Sequence, residues 1–85
     1  MYVASQGGRP ISVEEIKGIK NRFRIKEKVR LKEHMGRNKD RYIRGTVIHR
    51  TNYFITVLVR KNGVERYSES FKYVDFVLGD IEKVI

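Results

Sequence analysis

The chain has 85 residues, 40% of them hydrophobic and 11% aromatic, enough for one packed core and too few residues for two. It has no cysteine, which excludes a disulfide framework, thiolate chemistry and cysteine-based zinc sites. Nineteen Lys/Arg against ten Asp/Glu give a formal charge of +9, and the surplus is segregated: residues 17–50 hold 13 Lys/Arg and 3 Asp/Glu, whereas residues 51–85 hold 5 of each. A cationic block of this kind is expected of a protein with an anionic partner.

Residues 1–10 contain two glycines and a proline and little that packs, so they are expected to be a flexible tail. The folded domain is expected over 11–85. Ser12 and Glu15 have the spacing of a capping box, with Ile11 and Ile16 placed as a hydrophobic staple. Ile16, Ile19 and Phe23 continue an apolar helical stripe, which predicts a helix over 13–22.

The period then changes from 3.6 to 2. Lys28-Val29-Arg30-Leu31-Lys32 alternates charge with aliphatic side chains, as a half-buried strand does. Val29 and Leu31 face inward, and Lys28, Arg30 and Lys32 share the other face. Residues 35–40 form a polar, basic connection. A second strand over 41–50 turns Ile43, Gly45 and Val47 to one side and Tyr42, Arg44 and Thr46 to the other, with Gly45 marking a bend or a close backbone approach. Residues 53–60 are dense in aromatic and β-branched side chains, and Asn62-Gly63 predicts a tight hairpin into a strand over 65–71. A helical turn near 71–75 and a last strand within 79–85 complete the chain. Phe54, Phe71 and Phe76 are expected in the core. This order is that of a mainly β fold, an SH3-like or Sm-like five-stranded barrel preceded by one N-terminal helix.

The elements Val29-Arg30-Leu31-Lys32, Gly36-Arg37-Asn38-Lys39, Gly45-Thr46-Val47, Phe54-Ile55-Thr56-Val57, Arg66-Tyr67-Ser68 and Tyr73-Val74-Asp75-Phe76-Val77 follow one another as in the Veg family, which this chain resembles from about Ser12 onward. Veg proteins are short, basic proteins of Gram-positive bacteria. The resemblance implies a role in stimulating biofilm formation through control of extracellular-matrix genes. The chain departs from the family pattern at Glu27-Lys28, where a glycine often precedes the first strand, and in its ten-residue N-terminal extension.

No catalytic motif stands out. His34 and His49 are the only histidines, with no metal-ligand spacing, no glycine-rich phosphate loop and no nucleophile elbow. The chain is therefore expected to be no enzyme and to need no metal or cofactor, with both histidines solvated. The candidate anion or nucleic-acid site is Lys28, Arg30, Lys32, Arg37, Lys39, Arg41 and Arg44, with Tyr42 as an exposed ring for stacking on an unpaired base. The ordinary alternative is a solvated strand face, and the displacement of acidic residues to the second half favours a binding surface. The expected partner is an anionic macromolecule, either nucleic acid or an acidic face of a transcriptional regulator. An Sm-like RNA-binding ring and a homodimer through the 53–71 hairpin are further alternatives. No apolar run reaches the roughly 18 residues of a membrane span and the first residues lack a signal-peptide core, so a cytoplasmic location is expected.

Overall fold

A computed structural model describes residues 2–4 and 10–84; the side chains of residues 2–4 and 65 lie outside that description. The element order is β1 (Tyr2–Ala4), β2 (Pro10–Ser12), α1 (Val13–Lys20), β3 (Lys28–His34), β4 (Asp40–Arg50), β5 (Phe54–Lys61), β6 (Val64–Lys72), α2 (Tyr73–Val77) and β7 (Ile81–Lys83).

The region read as a tail holds an antiparallel pair, with Tyr2 opposite Ser12, Val3 opposite Ile11 and Ala4 opposite Pro10; residues 1 and 5–9 lie outside the described residues. Ile11, the first residue of the expected domain, is fully buried, and the pairing supplies hydrogen bonds to the backbone that carries it. Ser12 then caps α1. Its Oγ accepts from the Glu15 N–H at 3.2 Å, and Glu15 Oε2 accepts from the Ser12 N–H at 3.0 Å.

The helix stops two residues short of the expected 13–22. The N–H groups of Arg22 and Phe23 donate to the Ile19 and Lys20 carbonyls at 3.0 and 3.1 Å, a tightened last turn that brings Phe23 into the core.

The five main strands form one antiparallel sheet in the order β6-β5-β4-β3-β7. Asn62 and Gly63 take positive φ (57° and 78°), as the two-residue hairpin between β5 and β6 requires. Inward side chains of the four long strands, Val29, Leu31, Ile43, Val47, Ile55, Val57, Val59 and Phe71, make the core with Ile19, Phe23, Tyr73 and Ile81. Phe54 and Phe76 are only half-buried, Phe76 packing edge-on to Phe23 with ring centroids 5.2 Å apart.

At Gly45 the backbones of β4 and β5 approach closely. Gly45 is buried, and an added Cβ there would collide with the Leu58 carbonyl oxygen and stand 2.5 Å from Val57 Cγ1. A register shift between Val47 and His49 follows directly.

The expected closed barrel is not formed by hydrogen bonds, because β6 and β7 are the two sheet edges and do not pair. The five-residue α2 lies between them in sequence, and β7 has only three residues. The second helix, α2, lies two residues later than the helical turn expected near 71–75. Packing and polar contacts support the open side: Tyr73 is fully buried with its hydroxyl donating to the Thr51 carbonyl at 2.7 Å, and Arg41 reaches from β4 to Glu69 on β6. Glu69 stands level with Val47, six residues along β4 from Arg41, so their contact on the core side requires the sheet to curl inward with its opposite face convex. Among the described residues no helix is long and apolar enough to cross a membrane.

Candidate functional site

Strand pairing decides which of the basic side chains meet. Inward residues alternate with outward ones, and the register sets Lys28 opposite Thr46, Arg30 opposite Arg44 and Lys32 opposite Tyr42. Arg44 in turn opposes Arg60 on β5. Three arginines therefore form a row across β3, β4 and β5 on the convex face, and Lys28 flanks it one pair along. Opposed side chains in an antiparallel sheet have Cβ atoms about 4.5–5.5 Å apart.

These residues border a shallow groove of about 450 Å³, together with Thr46, Asn62 and Gly63. Lys28, Arg30 and Arg44 are exposed. Among the described residues, none of their side chains has a hydrogen bond or an ion pair. The cross-strand neighbours of Arg30 and Arg44 are thus cations and not carboxylates.

At the other end of the same face the charge is mixed. Tyr42 is 70% exposed, and the Lys32 ammonium lies 6.0 Å from its ring centroid. Lys32 is half-buried, stands 3.7 Å from Asp40 Oδ2 and pairs in register with Glu82 on β7. His34 sits between the same two carboxylates, with Nδ1 2.9 Å from Asp40 and Nε2 3.4 Å from Glu82. Asp40 lies just across the β3–β4 connection, and β7 brings Glu82 to β3 from far along the chain. Arg37 and Lys39 are exposed on the β3–β4 connection, beyond Tyr42. They extend the cationic surface as a separate tip and do not join the arginine row.

Arg41 lies on the other side of the sheet from this row. Period 2 along β4 puts it on the side of Ile43, where its Nε donates to Glu33 at 2.8 Å and its Nη1 to Glu69 at 3.1 Å; Nη2 contacts both carboxylates. The hydrogen bond to Glu69 is the chief cause that holds its pKa above the ordinary arginine value. Burial opposes this, and the charges of Glu69 and Glu33 reinforce it. This cation braces the open side of the sheet.

Other cations of the basic block also serve the fold. Arg50 Nη1 donates to the Phe23 carbonyl at 2.7 Å, and Lys20 Nζ to Asn52 Oδ1 at 2.8 Å. Of the other tyrosines, Tyr73 is core, and Tyr53 is exposed at the β4–β5 turn, away from the arginine row. Arg60 was missed by sequence reasoning because the second half is charge-balanced. The signal was present in the alternation Thr56, Leu58, Arg60, which lies opposite to inward Ile55, Val57 and Val59.

A second, larger depression of about 850 Å³ follows the open side of the sheet, where Ile16, Phe54, Glu69, Phe71, Asp75 and Ile81 contribute to its walls. Burial pushes the Asp75 carboxyl above its ordinary value; the charges of Asp80 and Glu33 add to this, and Lys72 opposes it. Among the described residues no group of three or more potential ligands could hold a metal ion. No protein-family model, curated protein or solved structure matches this chain.

Proposed function

We propose that this protein is a non-enzymatic regulator that binds an anionic macromolecule on the convex face of its sheet. We further propose that the fold is an open variant of an SH3-like small barrel, and that the Veg-like sequence elements reflect a role in controlling gene expression.

The observation that carries the binding reading is the register of Arg30 against Arg44 on an exposed face. Like charges directly opposed across a sheet destabilise it. Here no carboxylate among the described residues relieves Arg30 or Arg44, while three other cations of the chain are given structural partners. An anion that bridges the row converts an internal repulsion into attraction, and cation release from a polyanion adds a salt-dependent driving force.

Fluorescence anisotropy with labelled polyphosphate at two salt concentrations tests this. Binding that weakens steeply with salt, and is lost in the Arg30→Gln/Arg44→Gln variant, is expected. Equal binding by the wild type and that variant refutes the site.

A further inference from the structure

We infer that the anionic partner is a single-stranded nucleic acid, held by its phosphates on the Arg30–Arg44 row and by one base stacked on Tyr42. The inference rests on the binding reading above and narrows it.

Shape is the first support. The basic face is the outside of a curled sheet, because the core and the Arg41–Glu69 contact occupy its inside. A duplex is itself a convex rod and meets such a face over a small area. A single strand can drape over it, and the shallow groove bordered by Lys28, Arg30, Arg44 and Arg60 gives the backbone a path.

The second support is the ring. Tyr42 is the exposed aromatic among these cations, two residues from Arg44 on the same face of β4 and diagonal to Arg30 across the pair. The spacing from Tyr42 to Arg44 is about 6.6–6.8 Å along the strand. A base on the ring therefore has its own or the adjacent phosphate within reach of a guanidinium. Lys32 approaches the ring at 6.0 Å, which leaves the opposite side of the ring for a base. A duplex offers no free base face inside its stack, so an exposed ring beside arginines is of use chiefly to an unpaired strand.

The third support is the distribution of acid. Asp40 and Glu82 stand beyond Tyr42, next to Lys32 and His34. They separate Tyr42 and the arginine row from the Arg37–Lys39 tip, so the strand is expected to run from Tyr42 past Arg30 and Arg44 toward Lys28.

The test compares a labelled pyrimidine-rich RNA strand, the DNA strand of the same sequence, the matching DNA duplex and polyphosphate, each titrated with wild type, Tyr42→Ala and Tyr42→Phe. Both single strands are expected to bind at least tenfold more tightly than the duplex. Tyr42→Ala should weaken the single strands about five- to hundredfold, the range for loss of one base–aromatic stack, with polyphosphate affinity unchanged and Tyr42→Phe near wild type. The 2′-hydroxyl is read if RNA exceeds DNA. Duplex affinity equal to or above that of the single strands overturns the inference, as does a Tyr42→Ala effect that is the same for polyphosphate. Either result leaves anion binding standing, whereas failure of every polyanion to bind removes both readings. Thermal melts of the two variants, expected to match the wild type because the ring is exposed, separate loss of binding from loss of fold.

Discussion

Replacing Arg44 by glutamine should make the protein more stable while weakening its binding. The substitution keeps most of the side-chain length and removes one charge from the Arg30–Arg44 pair. With the two charges about 6 Å apart in a solvent-like dielectric, Coulomb repulsion is about 0.7 kcal/mol before screening. At physiological ionic strength, with a Debye length of about 8 Å, roughly half of it survives, about 0.3 kcal/mol. At ten-millimolar salt it rises to about 0.6 kcal/mol, within the range of about 0.2–1 kcal/mol measured for cross-strand pairs. For a domain of this size about 1 kcal/mol corresponds to 4–8 °C in Tm, so the variant should melt about 1–2 °C higher at physiological salt and about 2–5 °C higher at low salt. Scanning calorimetry of wild type and Arg44→Gln over a salt series measures both values. The difference should shrink as salt increases. A variant that melts lower at all salts would refute the repulsion, because Arg44 would then be making a favourable contact.

Contacts elsewhere in the fold hold this face in place. Gly45→Ala forces a Cβ against the Leu58 carbonyl and Val57, and should lower urea-measured stability by about 1–3 kcal/mol. Arg41→Gln leaves Glu33 and Glu69 facing each other; with these side chains 27% and 28% exposed, the expected loss is about 1–3 kcal/mol, between the values for exposed and buried pairs. A Glu69→Gln change in the same chain should recover part of it in a double-mutant cycle. Burial pushes the Glu27 carboxyl up, but the Lys83 ammonium at 2.8 Å and the Arg24 backbone N–H at 3.0 Å outweigh that and hold it below the usual glutamate value. Its folded pKa being depressed, Glu27 contributes stability above the unfolded pKa of about 4.5 and loses it as pH falls through the folded value. The gap in Tm between wild type and Lys83→Met should therefore be full at neutral pH and narrow in acid.

Local signals were legible in the sequence where a short stretch determines the geometry. The Ser12–Glu15 cap, the Asn62-Gly63 hairpin, the inward–outward alternation of β3 and β4 and the close approach at Gly45 all depend on neighbours within a few residues. The same alternation puts Arg41 on the inward side of β4, since it shares the parity of Ile43 and not of Tyr42 and Arg44. What escaped was set by pairing between distant segments. Glu82 reaches Lys32 and His34 only because β7 returns to β3, and Arg60 reaches Arg44 only through the β4–β5 register. The β1–β2 pair and the open edge between β6 and β7 are likewise products of tertiary competition, which composition and periodicity do not encode.

Every binding prediction above requires that an anion docks on the convex basic face. Amide NMR of the labelled protein titrated with a short single-stranded oligonucleotide locates that contact residue by residue. Shifts concentrated at Lys28, Arg30, Tyr42, Arg44 and Arg60, with α1 and the 850 Å³ depression unmoved, are the predicted outcome. Shifts confined to α1, to the Arg37–Lys39 tip or to the depression would contradict it.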